Sequence, residues 1–245
     1  MICVILAAGY ATRLYPLTEN FPKPLLELNG KTILDWLIDD IDKTNIISQY
    51  VVISNDKYYL HFMEWKKTKD LKISVLNDGT TSNENRLGAV KDIQFAIDAL
   101  SLDDDLLIIA GDNVLDFSLK AFINYFHQKN ASCVMRYFEP SPERLKKSGV
   151  VEIDNNELIL NMEEKPDIPK SHWVVPPFYI YKKSDAGLVN QGIREGCKTD
   201  APGSFIAWLS QRNKVFAMQM PGKRYDIGDI ASYEKAQKEY GGINE

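Results

Sequence analysis

Several short segments carry residue types that can do chemistry beyond packing. Leu6-Ala7-Ala8-Gly9-Tyr10-Ala11-Thr12-Arg13 follows the apolar run Ile2 to Leu6 and ends in a cation. Gly9 permits a tight turn, and Ala7, Ala8 and Ala11 keep the backbone approachable. Exposed N–H groups in such a loop can bind phosphate oxygens, while Arg13 can add a bidentate contact. A buried strand running into an accommodating turn accounts for the same small residues. Neither a complete GxxxxGK[ST] motif nor a GxGxxG fingerprint follows the strand. Pro16, Pro22 and Pro24 restrict the next connection, where Lys23 supplies a second cation near the same strand end. A solvated loop lysine is the plainer reading of Lys23.

The acidic candidates lie far along the chain. Gly111-Asp112-Asn113 follows the apolar run Leu106 to Ala110. Asp112 can offer hard carboxylate oxygens to a divalent cation, although a turn alone also favours Gly-Asp-Asn. Asp226 precedes a helix that Asp229 can cap, with Lys223 and Arg224 facing either a phosphate or solvent. Glu163-Glu164-Lys165-Pro166 is, by itself, a charged turn. In Asp78 to Val90, Asn85, Arg86 and Gly88 are suited to contact a ligand, and equally to turn formation and helix capping.

An alternating succession of strands and helices must position these residues. Strands are expected at Ile2 to Leu6, Tyr50 to Ser54, Leu71 to Leu76 and Leu106 to Ala110. Helices are expected after Thr32, where Ile33, Leu34, Leu37, Ile38 and Ile41 recur at helical spacing, and at about 56–67, 83–100 and 118–127. This order predicts an α/β fold with a ligand at the carboxyl ends of buried strands. The pattern then becomes mixed. Strands are expected at Cys133 to Phe138, Gly149 to Ile153, Leu158 to Asn161, Trp173 to Tyr181 and Lys214 to Gln219, and helices at 184–196, 203–211 and from Ile230. Pro176-Pro177 implies an edge, bend or bulge in its strand.

The 245 residues are 44% hydrophobic and 26% charged, with a net charge of -5, which suits an ordinary globular protein and argues against an extended nucleic-acid surface. No apolar stretch is long enough to span a bilayer, and the first lacks the features of a secretory signal, so no membrane partner and a cytoplasmic location are expected. Cys3, Cys133 and Cys197 are too widely spaced for a local zinc or redox motif.

Leu6 to Leu25, LAAGYATRLYPLTENFPKPL, resembles the N-terminal signature of the sugar-phosphate nucleotidyltransferases. GDN, EEKP and the terminal DIG extend the resemblance along the chain. It implies a Rossmann-like nucleotidyltransferase fold: a mostly parallel central sheet flanked by helices, with a mixed acceptor-binding subregion. It further implies one domain over 1–245, with a nucleotide-binding part at about 1–130 and an acceptor-binding part at about 131–226. The implied reaction transfers a nucleotidyl group from an NTP to a sugar 1-phosphate or similar phosphorylated polyol and releases pyrophosphate.

By this resemblance Arg13 and Lys23 are catalytic, and Mg²⁺ is held by Asp112 and Asp226. Leu6, Ala7, Ala8, Gly9, Tyr10, Ala11, Thr12, Asn85, Gly88 and Asp112 are the expected nucleotide contacts. Asn113, Gly149, Glu164, Lys165, Val175 and Lys223 are those of the acceptor. Ala11 departs from the family's usual glycine, and Pro176-Pro177 from its usual small polar residue and glycine. CTP-dependent transfer to phosphocholine or another non-sugar phosphate is the alternative enzyme reading, and a nucleotide sensor without catalysis is the non-enzymatic one. A homo-oligomeric state stays open.

Overall fold

Ile2–Leu6, Gln49–Ser54 and Ile73–Asn77 form a parallel ladder in the computed structural model, which describes residues 1–243. Gln49–Ser54 lies in the middle, with Val51 opposite Val4 and Val52 opposite Val75. Cys3, Val4, Ile5, Val51, Val52 and Ile53 are completely buried, as apolar runs must be when helices cover a parallel sheet. Helix Ile33–Asp42 starts where expected: Thr32 Oγ1 accepts the Asp35 N–H at 3.0 Å, and the predicted stripe is buried. The next helix, Tyr59–Lys67, begins later than its pattern suggests. Asn55 Oδ1 accepts the Tyr58 N–H and turns the chain first.

These elements belong to the first of two compact units, built from Met1–Arg86, Ala110–Lys120 and the chain from Pro221. Asn113–Leu115 pairs antiparallel with Arg224–Asp226, putting Asp226 opposite Asn113. Helix Ile230–Glu239 follows, started by a reciprocal cap between Asp229 and Ser232. Ile227, Ala236 and Tyr240 pack into one cluster with Leu14, Leu28, Ile33 and Val114. Segment 221–226, grouped in the sequence with the acceptor part, thus lies in the first unit.

The second unit comprises Leu87–Ile109 and Ala121–Met220. Its strands run in the spatial order Ile159–Glu164, Gly149–Ile153, Trp173–Val175, Ser132–Phe138, Phe178–Tyr181 and then Leu106 to Ile109 of the strand Leu106–Ala110, all antiparallel neighbours. Val215–Gln219 adds a parallel partner to Ser132–Phe138. Pro176-Pro177 divides the expected single strand into two, because proline removes ladder donors. The helix expected from residue 83 begins at Ala89 instead. Gly88, at φ +91°, redirects the chain there, and the Thr199 and Asp200 carbonyls accept the Val90 and Ala89 N–H groups. The helix expected at 184–196 is two short ones, Lys183–Ala186 and Val189–Arg194. Among the described residues no helix is long and apolar enough to cross a membrane.

Candidate active site

The loop after Ile2–Leu6 is anchored at both edges of its strand: Ala7 N–H donates to Ile53 O at 2.9 Å, and Gly111 N–H to Leu6 O at 3.1 Å. Its left-handed residue is Ala11, at φ 47° and ψ 39°, rather than Gly9. Gly9 is exposed, and a Cβ added to it would meet nothing within 4 Å. Behind the loop, Asn55 Nδ2 donates to Ala8 O at 3.0 Å and Thr18 Oγ1 to Ala11 O at 2.8 Å. Tyr58 Oη donates to Thr18 O at 2.6 Å, with Tyr10 O at 3.3 Å as a weaker second acceptor.

Lys23 starts a short turn, Lys23–Leu25, and is buried despite its charge. Its ammonium donates to Asp112 Oδ2 at 2.7 Å and to Ile227 O at 2.5 Å. Gly111 brings this arrangement close, since a Cβ there would lie 3.3 Å from both Ile5 Cγ2 and Pro24 Cγ. Burial opposes the charge on Asp112, but Lys23 and then Arg224 outweigh it and hold the carboxyl below its ordinary range. Asp226 is about half exposed, with Arg224 Nη2 at 3.5 Å. Arg224 Nη1 also donates to Asn113 Oδ1 at 2.6 Å, and Asn113 Nδ2 to Asp112 Oδ1 at 2.6 Å. Arg13 is exposed, and its guanidinium lies against Gly228, just beyond Asp226.

Among the expected residues, the loop Leu6 to Arg13, Lys23, Asp112, Asn113 and Asp226 therefore all lie in the first unit, on the loop, its neighbouring strand end and the terminal hairpin. Asp112 and Asp226 offer the oxygen donors that suit Mg²⁺, which commonly takes one or two carboxylates and completes its shell with water and phosphate. No cluster of three or more His, Cys, Asp or Glu side chains gathers around them among the described residues. Two carboxylates, one preceding Asn113–Leu115 and one ending the strand paired with it, are oxygen donors of the kind a cation takes when phosphate and water complete its shell.

Glu164, Gly149 and Val175 form one row across three strands of the second unit, with Gly149 opposite both of the others. A Cβ on Gly149 would lie 2.9 Å from Glu164 Oε2, and one on Gly203 would collide with that same oxygen. Gly203 also lies against Tyr179, whose Oη is 3.4 Å from its missing Cβ, a contact with no signal in the local sequence. Burial raises the Glu164 carboxyl above its ordinary range, with Lys165 and Lys198 opposing and Asp200 adding to the rise. Lys165 takes a left-handed conformation and reaches Asp200 at 3.5 Å.

The remaining expected contacts have protein partners. Asn85 Oδ1 accepts the Thr81 and Ser82 N–H groups, closing a turn. Gly88 packs against backbone, since a Cβ there would lie 2.6 Å from Thr199 O. Both ends of the buried Asn113 amide are used within the site. Lys223 pairs with Glu239 at 3.0 Å and covers the Tyr225 ring.

A family model described as Nucleotidyl transferase matches residues 2–242. The bifunctional protein GlmU of Methanocaldococcus jannaschii is 31% identical over 235 residues, covering 93% of this chain and 51% of that protein. A glucose-1-phosphate adenylyltransferase of Lachnospira eligens is 26% identical, covering 98% of this chain and 59% of that one. The chain thus spans somewhat more than half the length of these relatives. Among solved structures, an apo UDP-glucose pyrophosphorylase superposes with a TM-score of 0.79 at 20% identity, covering 97% of both chains. The enzyme of that name from Acinetobacter baumanii gives 0.73 at 20% identity, covering 97% of this chain and 92% of that one. The α/β fold and the resemblance carried by Leu6 to Leu25 both hold, and the chain belongs to the nucleotidyl transferase family.

Proposed function

We propose that this protein transfers a nucleotidyl group from an NTP to a sugar 1-phosphate or a similar phosphorylated polyol. The observation that carries the reading is the buried Lys23 ammonium fixed on Asp112, beside the phosphate loop and the strand that bears Asp226. The N–H groups of Gly9 to Thr12 and the Arg13 guanidinium hold the triphosphate. The acceptor's phosphate oxygen, already anionic near neutral pH, attacks the α-phosphorus in line. A new P–O bond forms as the bond to the β-phosphate oxygen breaks, and pyrophosphate leaves with the electron pair. No general base is required, which leaves His61, His127 and His172 outside the chemistry.

Lys23 stabilises charge that grows at the transferring group, from a position fixed before substrate arrives. Mg²⁺ held by Asp112 and Asp226 would supply further neutralisation of the phosphate oxygens. Glu164, between two glycines, is suited to accept hydrogen bonds from acceptor hydroxyls, with Lys165 beside it for the phosphate.

A phosphocholine acceptor would need an aromatic cage around its quaternary ammonium. Four aromatic residues are the sequence candidates for such a cage: Trp36, Trp173, Phe178 and Tyr179. Trp36 packs on Tyr240, Trp173 stacks under Arg136, and Phe178 and Tyr179 are buried. The buried Glu164 carboxylate, by contrast, suits the hydroxyls of a sugar or polyol. A screen of ATP, CTP, GTP, UTP and dTTP against sugar, polyol and amino-alcohol phosphates, read as Mg²⁺-dependent pyrophosphate release, tests the proposal. Turnover with a sugar or polyol phosphate is the expected result. Turnover confined to choline phosphate would shift the reading to the second acceptor class, and nucleotide binding without turnover would make the protein a sensor.

A further inference from the structure

We propose that Thr18, Asn55 and Tyr58 are positioning residues that preset the phosphate loop for its ligand, a role that rests on the nucleotidyl-transfer reading above. All three side chains are completely buried, and all three hold carbonyl groups. Asn55 takes Ala8 O, Thr18 takes Ala11 O, and Tyr58 holds Thr18 in place while approaching Tyr10 O. In a planar trans peptide the C=O of one residue and the N–H of the next point in opposite directions. Carbonyls of Ala8, Tyr10 and Ala11 drawn toward this buried group therefore turn the N–H groups of Gly9, Ala11 and Thr12 away from it. A Cβ added to Gly9 would meet nothing within 4 Å, so the loop is open at that residue. The contacts fix the loop without consuming the donors that a triphosphate needs.

The three residues also form one continuous relay. Asn55 accepts the Tyr58 N–H at 3.0 Å while donating to Ala8, so the start of the loop is linked through Tyr58 and Thr18 to Ala11. Ala11 is where restraint matters most, because an L-residue resists the left-handed conformation that glycine adopts freely. Burial first, then the neighbouring Tyr15 and Tyr10, push the Tyr58 hydroxyl up to about 12, so it keeps the proton it donates.

Thr18→Val and Tyr58→Phe remove one hydroxyl each at nearly constant shape, and Thr18→Ser restores the oxygen. Calorimetric titration of the wild type with ATP, CTP, GTP, UTP and dTTP in magnesium selects the tightest nucleotide. Amide exchange over residues 7–14 is followed in the ligand-free proteins. Thr18→Val and Tyr58→Phe should each weaken that nucleotide about fivefold, the scale of one lost hydrogen bond, and speed exchange in the loop more than in the central strands. Thr18→Ser should bind like the wild type. Equal affinities for Thr18→Val and Thr18→Ser, or loop exchange unchanged in Tyr58→Phe, would overturn the positioning role alone. A wild type that binds none of the five nucleotides would overturn the nucleotidyl-transfer reading and this role with it.

Discussion

Lys23 sits where its charge cannot be replaced by water, between the Asp112 carboxylate and the Ile227 carbonyl. Preorganised cationic donors at a developing negative charge commonly contribute factors of about 10² to 10³ in turnover. Lys23→Ala is therefore expected to lower kcat by about 10²-fold or more, with a smaller change in nucleotide KM, as steady-state kinetics would measure. Lys23→Arg should not restore it, because a planar fork does not fit a site built for a compact ammonium. Gly203→Ala belongs to the same scale: its methyl would displace the Glu164 carboxylate. Acceptor KM should rise about tenfold, the value of one charge-assisted contact, with nucleotide KM unchanged. Arg13, Lys23, Asp112 and Asp226 could be singled out as candidates because they stand in motif-bearing segments at element ends. Gly203 and Thr18 could not, since their roles arise from contacts with residues distant in the chain. Asn85 and Asn113 illustrate the converse. An amide advertises hydrogen bonding, but only the fold reveals that protein groups have taken it.

Periodicity served the elements well where burial is one-sided. The stripe from Ile33 to Ile41 and the Thr32 cap are both realised, and Thr32→Ala should lower stability by about 1 kcal/mol in denaturant unfolding, the usual value of an N-cap. The start of Ala89–Leu100 was missed because the apolar spacing continues through Leu87. Gly88 at positive φ and carbonyls from residues 199 and 200 set that boundary, and both are tertiary facts. The same limit applies to EEKP: Glu163 and Glu164 close a strand, and only Lys165 turns. Proline was the more reliable signal, as the break at Pro176-Pro177 follows from chemistry local to those two residues.

At the level of the whole molecule, the first unit gathers three stretches of chain, and its last stretch completes the core and sets Asp226 opposite Asn113. Ile227 and Tyr240 are buried against Leu14, Leu28 and Ile33. Burial of each such side chain contributes about 1.5–3 kcal/mol, a large part of an ordinary folding free energy. A fragment of residues 1–130 is accordingly expected to show no cooperative thermal transition by circular dichroism, whereas the full chain does. The central claim is that the α-phosphorus of a nucleoside triphosphate is the atom attacked. The most direct test follows α-³²P and γ-³²P label separately through a reaction with a sugar 1-phosphate. Transfer at the α-phosphorus carries the α label into a sugar nucleotide and the γ label into pyrophosphate. A γ label that ends on the acceptor, or an α label that stays in unreacted nucleotide across the whole substrate panel, would contradict the account.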